Sequence, residues 1–239
     1  MFTVSLIGPD GVGKTTIVAR LQKSLPMPVK YIYMGDNIES CNYMLPTMRW
    51  WKQRNPASGH NGKHSQIEAK FHKSGSQTPA QPNRIRRVLR AVKKTAGFVN
   101  RILDVWYRYF MVFYFSRKGY VVLLDRHFTF DYYHFDIAPE NGKPSFKRRL
   151  NGLILKHTIP DPDLVICLDA PADVIFKRKG EFSVEYLEMR RRQYRSLQSI
   201  AKHFALVDAN RKLETVIGDV KNLICDFQAK AAKPQTEKT

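Results

Sequence analysis

Gly8-Pro9-Asp10-Gly11-Val12-Gly13-Lys14-Thr15 satisfies the pattern G-x-x-x-x-G-K-[ST] in full, between the apolar run Phe2 to Ile7 and a helix-forming stretch that begins Thr16-Ile17-Val18-Ala19. No other feature constrains the fold as much. A glycine-rich turn that leaves a strand and enters a helix lets successive backbone N–H groups curl around phosphate oxygens, and the positive end of the helix dipole adds to the field there. In such a turn the backbone from Asp10 through Gly11, Val12 and Gly13 to Thr16 cradles a nucleoside triphosphate. Lys14 reaches the β and γ phosphates, and the Thr15 hydroxyl ligates magnesium. A glycine-rich turn without a ligand is the alternative, and the flanking strand and helix weigh against it.

Four further short apolar runs read as buried strands: Val29 to Met34, Tyr120 to Leu124, Leu164 to Leu168 and Phe204 to Val207. They are continuous rather than alternating, as expected of a parallel sheet covered on both faces. Helical periodicity occupies Thr15 to Leu25, Ile85 to Phe115, Phe146 to His157, Ala172 to Arg178, Ser183 to His203 and Leu213 to Ala229. Strands alternating with helices define an α/β fold whose ligands sit at the carboxyl ends of the strands. The expected organisation is a single domain over residues 1–229, with a polar insertion at 53–83 and a polar tail at 230–239.

A chain of 239 residues with 43% hydrophobic content is long enough to bury one substantial core. Its formal charge of +19 suits polyphosphates, nucleic acid or anionic surfaces without choosing among them. Arg84, Arg86, Arg87, Arg90, Lys93, Lys94 and Arg101 precede the first acidic residue of their helix, Asp104. With Ile85, Val88, Leu89, Val92, Val99 and Ile102 at helical spacing, those basic residues are expected on the outer face, where they are either merely solvated or bind nucleic acid, an acidic partner or a substrate phosphate. Cys41, Cys167 and Cys225 form no framework or C-x-x-C pair, which points to a reducing, cytoplasmic setting. Val105 to Phe115, interrupted by Arg108, is too short to span a bilayer and reads as a buried helix; no transmembrane segment is expected. His60, His64 and His72 lack a cysteine or carboxylate at ligand spacing and make a poor zinc set.

Phosphoryl transfer needs a second acidic residue beside the cradle. Val121-Val122-Leu123-Leu124-Asp125-Arg126 supplies it at a strand end, with Asp125 for magnesium and Arg126 for paired hydrogen bonds to phosphate. A surface ion pair or a helix cap is the plainer alternative.

In order and spacing, GPDGVGKTT, LLDRHF, PDLVICLDAPADVIFKRKGE and ALVDANRKLETVI resemble the thymidylate kinase family of P-loop nucleotide kinases. The likeness runs from Phe2 to about Phe227, apart from the insertion. It implies a P-loop fold with a five-stranded parallel sheet flanked by helices, and transfer of the ATP γ-phosphate to a nucleoside monophosphate, thymidylate above all. It also implies that Asp10 lies close to the acceptor sugar, that Arg126 bridges donor and acceptor phosphates, and that Asp208-Ala209-Asn210 borders the adenine. Lys177-Arg178-Lys179-Gly180-Glu181 matches the mobile lid. Because Gly11 stands where some members carry a catalytic arginine, the lid becomes the donor of that charge, Arg178 first and Lys179 second.

The acceptor side departs from the family. After the second strand the text is Tyr33-Met34-Gly35-Asp36-Asn37, with no arginine before Arg49. Asp36 and Phe130 join Asp10 and Arg126 as acceptor candidates, with Phe128, Tyr132 and Tyr133 as further aromatics that either stack on a base or fill the core. His127 either touches substrate or packs. The missing arginine keeps open a hydroxyl acceptor, such as a nucleoside or sugar, with Asp10 or Asp36 as base. The basic helix keeps open an ATP-binding regulatory or nucleic-acid-associated protein without transfer activity. A homodimer is also left open.

Overall fold

The computed structural model describes residues 1–35, 37–54, 84–127, 130, 146–180 and 182–232. The chain forms two compact units, Met1–Gly35 with Met111–Thr239 and Asp36–Phe110, so the second unit takes in far more than the insertion expected at 53–83.

The first unit holds the sheet. Strands β1 (Thr3–Ile7), β2 (Val29–Tyr33), β3 (Val121–Asp125), β4 (Leu164–Asp169) and β5 (Phe204–Asp208) lie in the order β2-β3-β1-β4-β5. Every pairing is parallel, with Leu6 opposite Asp125 on one side and opposite Ile166 on the other. β1 is followed outward by β2, the chain returns to β3, and it then crosses to β4. The carboxyl ends of β1 and β3 therefore meet at the reversal of strand order, where ligands bind in open α/β sheets.

Period-two alternation gives each face its own core. Val4, Leu6, Leu123, Ile166 and Leu168 face helix α1 (Lys14–Ser24) and helix α7 (Leu213–Ala232) through Ile17, Val18, Leu21, Val216, Val220 and Ile224. Ile7, Val165 and Cys167 face the other way and meet Phe130, Tyr194 and Leu197. Helix α7 runs three residues past the expected boundary at 229. Helix α5 (Ala172–Lys179) ends at Gly180, whose left-handed φ of 65° breaks the helix.

Helix α6 (Val184–Ser196) stops well before His203, where helical spacing would have carried it. The Ser196 and Ser199 hydroxyls donate to the carbonyls of Gln193 and Ser196 at 2.8 and 2.9 Å, and a short 3-10 turn, Leu197–Ser199, follows. Serines that bond to nearby carbonyls compete with the helix ladder.

In the second unit a helix with no sequence forecast, α2 (Pro46–Arg54), takes the first residues assigned to the insertion. The rest of 53–83, with His60, His64 and His72, lies outside the described residues. Helix α3 (Arg84–Arg117) begins in this unit. Asp104, buried, accepts from the Leu45 backbone at 2.7 Å and pairs with Arg108, while Gly97 leaves room for the Trp51 ring. These contacts set part of the inward face of α3, and three apolar residues expected on that face lie outside it. Leu89, Val92 and Val99 are 62%, 60% and 48% exposed. The Val105 to Phe115 stretch is likewise one-sided: Arg108, Tyr109, Val112 and Phe115 are buried, whereas Trp106, Phe110 and Phe113 are exposed. Helix α4 (Phe146–Thr158) belongs to the first unit. No helix among the described residues is long and apolar enough to cross a membrane.

Candidate active site

Gly8 leaves β1 so close to β4 that a Cβ on it would sit 2.4 Å from the Leu168 carbonyl oxygen. Only glycine fits that approach. The loop then turns through Gly11 and Gly13, at φ 94° and 103°, and α1 starts at Lys14 with no acidic residue in its first turn. The amino-terminal N–H groups and dipole of a helix that opens on such a loop favour an anion there. The Val12 side chain is buried in the core, and its N–H donates to the Pro9 carbonyl at 3.3 Å. Thr16 opens outward on the first turn of α1.

Lys14 is nearly buried, and its ammonium donates to the carbonyls of Gly8 and Pro9 at 2.7 and 2.9 Å. It lies 3.7 Å from Asp10. Phosphate oxygens in the cradle would compete for the same hydrogens, so the lysine is stored within reach of its target.

Thr15 and Asp125 come together. The Thr15 hydroxyl donates to Oδ2 of Asp125 at 3.2 Å, and the Tyr31 hydroxyl donates to the same oxygen at 3.1 Å. Oδ1 of Asp125 is buried and has no hydrogen-bond partner among the described residues. Burial pushes the carboxyl above its ordinary pKa, countered by the charges of Lys14 and Arg126 and by the bonds from Tyr31 and Thr15. A buried carboxylate oxygen with an unused lone pair, beside a P-loop hydroxyl, fits a hard divalent cation such as magnesium. Tyr31 carries no motif; only the parallel register, which sets Tyr31 opposite Leu123 and Tyr33 opposite Asp125, brings it here.

Arg126 adopts a left-handed φ of 70°, a conformation that costs a non-glycine residue roughly 1–2 kcal/mol. Its backbone N–H donates to the Leu6 carbonyl at 3.2 Å, and its guanidinium pairs with Asp10. The acid of the P-loop and the arginine after β3 thus face each other across the loop.

The lid cations separate. Arg178 donates to the Ala209 carbonyl at 3.0 Å, in the loop where the Asn210 N–H bonds Asp208 at 2.8 Å. Lys179 instead stands over the P-loop, its Cβ 3.3 Å from where a Gly11 Cβ would lie. Of the arginines on α6, Arg191 clamps Asp169 at the end of β4 with two bonds of 2.8 and 3.0 Å, and also holds Glu188 at 2.6 Å. Arg190 turns to Gln193 and Tyr194, and Arg192 is 80% exposed.

One acceptor-side expectation changes and one open choice narrows. Phe130 is 1% exposed and packs in the core, so it offers no face to a base; its ring lies 5.3 Å from that of His127. His127 is itself buried and sits 3.3 Å from the Pro160 carbonyl, which makes it a packing residue. Asp36, Phe128, Tyr132, Tyr133 and Glu181 lie outside the described residues.

The sheet order, the phosphate loop after β1 and the carboxylate closing β3 define a P-loop nucleoside triphosphate-binding fold. Within that class the chain is similar to thymidylate kinases. It is 26% identical over 233 residues to a "Probable thymidylate kinase" of Pyrobaculum aerophilum, covering 94% of this chain and 96% of that one. The solved thymidylate kinase of Candida albicans shares its fold at a TM-score of 0.54 and 17% identity, over 95% of this chain and 92% of the other. No family model matches.

Proposed function

We propose that this protein is a cytoplasmic P-loop phosphotransferase that moves the γ-phosphoryl group of ATP to a nucleoside monophosphate, thymidylate foremost. The hydrogen bond between Thr15 and Asp125, with Arg126 next in the chain, carries the proposal. Thr15 and Asp125 would hold magnesium, which supplies charge neutralisation on the β and γ phosphates. Lys14 leaves the Gly8 and Pro9 carbonyls for the same phosphates, and the P-loop amides with Thr16 fix their position. Arg126 takes the acceptor phosphate while its bond to Asp10 fixes its height over the loop. The acceptor oxygen forms the new bond to γ-phosphorus as the bond to the β,γ-bridging oxygen breaks, and ADP departs. Nothing becomes attached to the protein, so catalysis is positioning and electrostatics.

Lys179 supplies lid charge next to the loop, and Arg178 with Asn210 borders the adenine; these positions favour Lys179 as the transition-state cation. The likeness to the "Probable thymidylate kinase" of Pyrobaculum aerophilum supports the acceptor class. The Candida albicans enzyme is itself described as having broad substrate specificity.

A hydroxyl acceptor is the second reading, favoured by the absence of an arginine between β2 and Arg49. Arg126 already engages Asp10, which leaves Asp36 as its base. For assembly we propose a homodimer through α3, where Val92, Val99, Leu103, Trp106 and Phe110 are exposed at spacings of three, four and seven residues. Sedimentation equilibrium checks it. A nucleic-acid role for the basic turns of α3 would show as salt-steep retention without transfer. Labelled ATP with a panel of monophosphates, nucleosides and sugars separates the readings.

A further inference from the structure

We propose that Tyr31 is a positioning residue for the metal: its hydroxyl pins Oδ2 of Asp125, so that Oδ1 is kept for the ion. The inference rests on the kinase reading and names a residue that reading does not need.

Asp125 lies at the end of β3 with 1% exposure, surrounded by strands that offer it no backbone donor for Oδ1. Its carboxylate plane is set by what bonds Oδ2. Among the described residues two donors do so, Thr15 from the first turn of α1 and Tyr31 from β2. They approach from different elements, and two such bonds restrict rotation about the last side-chain torsion where one would leave it broad. Thr15 has a second duty, because its oxygen is the P-loop ligand, and its bond to Asp125 is exposed to rearrangement when nucleotide arrives. Tyr31 has no such duty. It sits two residues behind the strand position opposite Asp125, and its ring packs against the core cluster that contains Leu123 and Ile166. A phenol anchored at its ring end delivers the hydroxyl at a fixed distance, which a flexible donor would not. Partners that orient a metal-binding group raise affinity without touching the ion.

The test uses the whole chain saturated with a non-hydrolysable ATP analogue, with Mn2+ as the probe. Binding and the hyperfine pattern of the protein-bound ion are read by electron paramagnetic resonance in wild type, Tyr31→Phe and Tyr31→Leu. Phenylalanine removes one oxygen and keeps the packed ring, so the fold is retained. The expected result is Mn2+ binding about tenfold weaker in Tyr31→Phe, with analogue affinity in metal-free buffer unchanged. In turnover, added Mg2+ restores most of the lost kcat. Tyr31→Leu gives the same metal affinity as Tyr31→Phe and a lower melting temperature. Wild-type Mn2+ affinity and hyperfine pattern in Tyr31→Phe overturn the proposal while leaving the kinase reading standing. Absence of a protein-bound ion in wild type overturns both.

Discussion

Thr15 and Asp125 stand 110 residues apart in the chain and share a hydrogen bond of 3.2 Å. That contact joins the loop after β1 to the end of β3, and every part of the proposed chemistry is arranged around it.

Lys14→Ala removes the ammonium that would move to the phosphates. Its loss should lower kcat by about 10²–10³ or more, with a smaller change in the KM for ATP. Steady-state kinetics over a range of ATP concentrations provide the check.

Asp125→Asn separates metal binding from folding. A carboxyl whose folded pKa is raised binds its proton more tightly in the folded state, so metal-free stability falls as pH rises from the ordinary carboxylate range through the folded value. At neutral pH the ionised carboxylate is therefore a cost, and metal-free Asp125→Asn should melt higher than wild type, by about 2–4 °C for roughly 1 kcal/mol. The gap should close as pH falls to the ordinary carboxylate range. With Mg2+ and ATP the order should reverse. Calorimetry at several pH values with and without ligand reads all three.

How much of this was legible beforehand depended on whether a signal was local. The P-loop and the Asp125-Arg126 pair were readable because both are short strings at strand ends, and the strands because buried parallel strands are uninterrupted apolar runs. Tyr31 was not, since only the β2–β3 register brings it to Asp125. Part of α3 was misread because its stripe of Leu89, Val92 and Val99 looks like a core face, while part of the inward face is set by Asp104 and by Gly97 under Trp51. Phe130 stayed open between a base and the core because an aromatic after a strand carries no mark of which side it will occupy. The two lid cations are adjacent in sequence, and only their neighbours, Ala209 and Gly11, tell them apart.

Gly11→Ala should destabilise the fold by about 1–2 kcal/mol and weaken ATP binding. The residue has φ 94°, and a Cβ there meets Ile175 at 3.1 Å and Lys179 at 3.3 Å. An arginine placed at this position would meet the same obstruction, so Gly11→Arg should not rescue a lid variant. Thermal melts and nucleotide titration measure both effects.

Arg178→Ala and Lys179→Ala should divide cleanly. The first, next to Ala209, should raise the KM for ATP several-fold with a modest change in kcat. The second, above the P-loop, should lower kcat by about 10²-fold. A larger loss of kcat in Arg178→Ala than in Lys179→Ala would return the catalytic role to Arg178.

Arg191→Met should leave the carboxylate of Asp169 without its paired bonds and cost about 2 kcal/mol or more, since both side chains are largely buried. Denaturant unfolding of wild type and variant gives the difference directly.

Transfer from γ-labelled ATP to unlabelled thymidylate, resolved chromatographically, tests the central claim most directly. The account predicts labelled thymidine diphosphate that requires Mg2+ and disappears in both Lys14→Ala and Arg126→Ala. Label arriving only on a hydroxyl acceptor, or on no acceptor at all, would contradict it.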